Sequence, residues 1–149
     1  MILRLTIALI LFASAAQADA VQDLLDGAKA DCAAMEGGVF TVGPQAVVPV
    51  DLTGDGAPET VVDSADFQCS TMASYWGGSL GNSIWVVVGG QAQEMLAQDW
   101  QVETLQTHPV LILWHSGAAC GGAGIEPCVE AMIWSDQSQK FMTVAAPAE

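Results

Sequence analysis

Apolar residues keep one spacing up to Gly37-Gly38 and another after it, and that change restricts the fold more than any other feature. Before it, Val21, Leu24, Leu25, Ala28, Cys32 and Met35 recur at steps suited to one face of a helix. Gln22, Asp23, Asp26 and Lys29 fall on the other face. The glycine pair ends such a helix, because glycine enters the left-handed conformation without a side-chain clash. After it, short apolar or alternating runs at 39–42, 46–52, 59–63 and 84–88 are separated by Gly and Pro. That is the pattern of strands joined by turns. Gly89-Gly90 is a two-residue hairpin signal. Residues 91–106 fit two strands broken near Gln98-Asp99 or one short helix, and the surrounding meander favours strands. His108-Pro109 opens the apolar run 110–114, and 129–134 with 141–144 form a last hairpin. Trp100, Trp114 and Trp134 sit in these runs and are expected in the core. The expected architecture is α+β: one N-terminal helix packed on an antiparallel sheet, a meander of hairpins able to curl.

Residues 1–20 read as a signal peptide. Arg4 supplies a positive start, residues 5–12 are apolar apart from Thr6, and Ala16-Gln17-Ala18 or Ala18-Asp19-Ala20 offers a cleavage site. The apolar run is about half of what a membrane span needs. The expected product is a single secreted domain over 21–149, periplasmic or extracellular in a bacterium. With Arg4 removed, Lys29 and Lys140 carry all the Lys and Arg charge of a chain whose formal net charge is −14. Nucleic-acid binding needs a basic face, and none can be assembled. The same shortage argues against anionic membranes once the signal is cleaved.

An oxidising compartment permits disulfides. Cys32, Cys69, Cys120 and Cys128 allow three pairings. Cys120 and Cys128 bracket the short Gly-rich segment 121–127, which a bridge closes readily, leaving Cys32 to reach Cys69 and staple the helix to a sheet. Zinc is the competing use, but no C-x-x-C occurs and the two histidines are poorly spaced for it.

The most informative stretch is Asp51-Leu52-Thr53-Gly54-Asp55-Gly56-Ala57-Pro58-Glu59. Oxygen-bearing side chains stand at alternate positions before Gly56, Glu59 closes the loop, and apolar strands flank it. Calcium takes about six to eight hard oxygen ligands at adaptable distances, and a tight loop can turn alternate oxygens inward. Gly56 allows the sharp bend, and the Ala57 carbonyl can add a ligand. A metal-free Asp-Gly turn is the alternative; three carboxylates in one turn of an acidic protein repel one another, which favours the cation.

This loop resembles the calcium loop of FG-GAP and integrin-type β-propeller repeats, D-x-[ND]-x-D-G-x-x-D. The resemblance covers nine residues and implies an ion site rather than a propeller. It implies Asp51, Asp55 and Glu59 as carboxylate ligands and Thr53 as the oxygen donor at the third position. Thr in place of Asn or Asp, and Glu in place of the last Asp, imply weak calcium binding of about 0.1–1 mM. The whole chain also looks like uncharacterised small exported proteins of proteobacteria, through this loop and the His115-Ser116-Gly117-x-x-Cys120-Gly121-Gly122 segment.

Other candidates for chemistry are weaker. His115 and Ser116 are adjacent in a strand and so point to opposite faces, which argues against a nucleophile–base pair; His115 is expected to bond loop backbone. His108 is expected in an exposed turn. Tyr75 and Trp76 cap the core or offer ring faces to a glycan. The expectation is no enzyme, but an exported, disulfide-stabilised domain with a calcium loop and a structural or binding role. The second reading is an acidic inhibitor or binding partner of a cationic envelope enzyme, steered by charge.

Overall fold

The computed structural model describes the backbone of residues 3–144 and side chains from residue 15 onward. The side chains of Arg4 and the apolar run 5–12 lie outside the described residues. Helix α1 spans Leu3–Ala34 without interruption. It ends through Met35 N–H to Cys32 O and Gly37 N–H to Ala33 O bonds, with Glu36 and Gly37 both at positive φ. Among the described residues no helix is long and apolar enough to cross a membrane.

The rest is largely antiparallel strand. β1 (Phe40–Val42) pairs with β4 (Phe67–Cys69) in a two-stranded ribbon. A second sheet takes β2 (Val47–Val50), β3 (Glu59–Asp63), β5 (Gly77–Gly78), β6 (Gly81–Val88) and β7 (Gln91–Ala97), with β3, β5 and β7 all bonded to β6. A third runs β11-β10-β9-β8, from β8 (Asp99–Leu105), β9 (His108–Ser116), β10 (Pro127–Ser135) and β11 (Lys140–Thr143). The ambiguous stretch is therefore two strands, broken at Gln98. The helix-plus-antiparallel-strand class is as expected; a single continuous meander is not. β7 bonds β6, β8 bonds β9, and the chain crosses between sheets at Gln98, whose N–H bonds Trp114 O at 2.6 Å. Alternation in sequence fixes which face a residue takes, not which neighbour its backbone bonds.

Apolar side chains of the two larger sheets meet in one core. Val61, Ile84, Val86, Met95 and Ala97 come from the first, joined by Leu52 of the β2–β3 loop; Leu111, Leu113, Met132 and Phe141 come from the second. Burying each large aliphatic side chain contributes about 1.5–3 kcal/mol. Gln93 ties the sheets further, accepting from Phe141 N–H at 2.8 Å and donating to Phe141 O at 3.1 Å. A second cluster joins Ala28 of α1 to Ala46, Val62 and Phe67, with Leu24, Leu25, Trp76 and Trp85 against it. β3 thus has apolar neighbours on both faces, Val61 on one and Val62 on the other, which is why it reads as a nearly unbroken apolar run. Glu59 and Asp63 alternate with Val61, so β3 carries a carboxylate at each end of its inter-sheet face.

The tryptophans divide. Trp100 and Trp134 pack on the main core, Trp100 donating its indole N–H to Asp63 at 2.9 Å. Trp114 is not in the core: it stands opposite Val129 on the outer face of the third sheet, half-buried. A strand with apolar residues on both faces does not reveal from sequence which face is covered. Trp76 caps the helix-side cluster through Phe40 and Phe67, at centroid distances of 5.2 and 5.6 Å.

Both disulfides form as the spacing suggested. Cys32–Cys69 joins α1 to β4, and Cys120–Cys128 closes the loop between β9 and β10.

Candidate functional site

The acidic loop joins β2 to β3, whose register pairs Val50 with Glu59. Leu52 is fully buried in the main core and pins the loop from below. Gly54 and Gly56 both hold positive φ, 82° and 86°, a conformation costly for residues with a side chain. The bend expected at Gly56 is therefore a double one.

The carboxylates fold the loop around themselves. Asp51 accepts Gly54 N–H at 2.7 Å on one oxygen and Gly56 N–H at 3.0 Å on the other. Asp55 accepts Ala57 N–H at 2.8 Å through Oδ1. Glu59, buried, takes both Leu52 N–H at 2.7 Å and Thr53 N–H at 3.0 Å on Oε2. Burial raises the Glu59 pKa above the usual 4.5; the two N–H bonds work against this, and the charges of Asp55 and Asp51 add to it. Thr53 Oγ1 is buried without a hydrogen-bond partner. No three carboxylate, imidazole or thiol groups are gathered about one point among the described residues. The loop is thus a self-bonded turn in which Asp51 organises backbone, while Thr53 Oγ1, Asp55 Oδ2 and Glu59 Oε1 bond no group among the described residues. The two Asp51 oxygens and Asp55 Oδ1 each accept one N–H and keep a second lone pair, whereas Glu59 Oε2 has both engaged.

The loop borders a cleft of about 890 Å³ at the open end of the two-sheet core. Val88 and Trp134 contribute apolar surface; Asp55, Glu59 and Asp136 contribute acid; Gln17 and Ala18 of α1 close one side. Gln17 Nε2 donates to Thr60 Oγ1 at 2.8 Å and to Pro58 O at 3.3 Å. Trp134 Nε1 donates to Asp136 Oδ1 at 2.9 Å, which fixes that carboxylate at the rim. Sequence reasoning found the loop side of the cleft and missed Trp134, Asp136 and Gln139. They arrive from the β10–β11 hairpin, far along the chain, and no local pattern marks them.

His115 does not bond loop backbone as expected. Its Nε2 lies 3.0 Å from Glu130 Oε2 on the neighbouring strand, and Thr143 donates to the other Glu130 oxygen. β9 pairs Leu113 with Glu130, so the two side chains share a face diagonally. Ser116 is buried, its Oγ 3.5 Å from Gly124 O and not bonded to His115. His108 is exposed at the start of β9.

Compared with known proteins, the chain matches no family, no curated protein and no solved structure.

Proposed function

We propose that this is an exported, disulfide-stabilised binding or structural domain whose β2–β3 loop takes calcium weakly. The observation that carries it is Thr53 Oγ1, a buried hydroxyl without a partner, in a loop holding three carboxylates that pair with no lysine or arginine among the described residues. A hard cation would satisfy that oxygen and offset both the burial that chiefly raises the Glu59 pKa and the smaller push from the Asp55 and Asp51 charges. Thr53, Asp55 and Glu59 would supply side-chain oxygens, Ala57 its carbonyl, and Asp51 its remaining lone pairs. So few free oxygens suit weak binding, with water completing the shell.

Calcium at about 10 mM is expected to stabilise the protein by roughly 2 kcal/mol, taking a Kd near 0.5 mM. That corresponds to a rise in Tm of about 6 °C. Asp55→Asn keeps an acceptor for Ala57 N–H but loses the charge, and should abolish the rise. A wild-type Tm that does not move with calcium, or moves equally in Asp55→Asn, refutes the site.

Export rests on the leader pattern and agrees with two disulfides in a chain without free cysteine among the described residues. Mass spectrometry of protein recovered outside the cytoplasm is expected to find Asp19 or Val21 at the N-terminus. Recovery beginning at Met1 would contradict cleavage.

A further inference from the structure

Leu111, Leu113, Met132 and Phe141 point from the third sheet into the core, so their strand neighbours point away from it. That outer face is also apolar. The register sets Ile112 beside Ala131, Trp114 beside Val129 and Ile133 beside Met142, and Val144 bonds Ala131 at the same level. Val129, Ile133, Met142 and Val144 are between 41% and 54% exposed. Apolar residues exposed singly are ordinary, but a contiguous band across neighbouring strands marks an interaction surface. The charged groups of this face stand on its two opposite edges. Asp99 and Glu103 are exposed on β8, while Lys140 is exposed on β11. Glu103 pairs with Val110 and Lys140 with Ser135, so both lie toward the end of the sheet where β9 begins.

We infer that the outer face of the third sheet is the interface of a twofold homodimer. A partner for it must be flat and apolar in the middle, basic against β8 and acidic against β11. A second copy, turned about a twofold axis parallel to the strands, meets all three demands. β11 of each copy then lies over β8 of the other, Lys140 meets Glu103, and the apolar middles pack as two sheets do, about 10 Å apart. The four strands hold 7, 9, 9 and 4 residues. At ordinary strand spacing and rise, two such faces bury roughly 1,000 Å² in total, the lower bound for a specific interface. The net charge of −14 opposes association, but at physiological salt repulsion between acids farther apart than about 8 Å is largely screened. The inference does not rest on calcium binding, since no residue of the β2–β3 loop lies on this face.

Sedimentation equilibrium of the purified protein at physiological salt, without calcium, tests this. Wild type is expected to dimerise with a Kd of about 100 µM or tighter. Ile133→Asp places a carboxylate in the apolar middle and should leave only monomer. Lys140→Glu sets like charges across both edges and should weaken the dimer at least tenfold. Adding Glu103→Lys to that variant reverses both edges together and should restore dimerisation to within about threefold of wild type. Such a rescue distinguishes a twofold contact from loss of folding, because each single change lies on an exposed edge. A wild type that stays monomeric up to about 500 µM leaves the face to a different partner and overturns the inference. Dimerisation unaffected by Ile133→Asp, or a Lys140→Glu defect that Glu103→Lys does not repair, overturns it as well.

Discussion

Replacing Cys32 and Cys69 together with alanine is expected to lower the unfolding free energy by about 4 kcal/mol. The bridge spans a sequence separation of 37 and ties α1 to the β1–β4 ribbon, so it removes much freedom from the unfolded chain. Its cysteines are 0% and 4% exposed, and deleting their sulfurs also leaves a gap in packed surroundings. The Cys120–Cys128 bridge spans a separation of only 8, and its removal should cost about 2.5 kcal/mol. Against a typical total of about 5–15 kcal/mol, loss of the first bridge brings the domain near the folding threshold. Urea unfolding of both double variants reads the difference directly. Equal midpoints would show that the helix is not held by its staple. Cys120 is exposed, so limited reductant should open its bridge first, leaving the helix attached.

Glu59→Ala is the second large effect, about 3 kcal/mol, because Leu52 N–H and Thr53 N–H lose their shared acceptor beneath the loop. Glu59→Gln keeps a side-chain oxygen for those two groups and should cost about 1 kcal/mol or less. The pair separates the backbone bonds from the charge. Charge governs pH behaviour: with its pKa raised in the folded state, Glu59 stays protonated there at pH values where the unfolded chain has already released the proton. The folded protein then binds more protons, so this group's contribution declines as pH rises from the ordinary 4.5 through the raised value, and is most favourable below that window. In calcium-free thermal scans, wild type should therefore lose ground to Glu59→Gln as pH increases across it. A wild type that gains on the variant instead would show that the N–H bonds outweigh burial and the neighbouring carboxylates.

The candidate site combines local and distant contributions. The loop was legible residue by residue, since Gly56, the alternating oxygens and the flanking strands all lie within one short segment. What could not be read was how its carboxylates are used: Asp51 and Glu59 bond backbone N–H groups of the same loop, an alternative that short acidic side chains always offer. The diagonal contact of His115 with Glu130 needed the register of β9 on β10. The rim of the cleft needed the β10–β11 hairpin to meet the β2–β3 loop.

By itself the sequence determined the helix from Val21 to its end at Gly37, most strands but neither β4 nor β5, the favoured pairing of the two bridges, and the acidic turn. Each of these follows from near neighbours: apolar spacing, glycine conformation, or the short loop between two cysteines. Tertiary structure alone decided that the chain changes sheets at Gln98, that Trp114 faces outward while Trp100 and Trp134 face in, and that Trp134 and Asp136 stand across from Glu59. Those outcomes depend on which backbone groups bond across long stretches of chain and which face finds a partner. Alternation of apolar residues leaves both open, because it assigns a side chain to a face without naming what that face will meet.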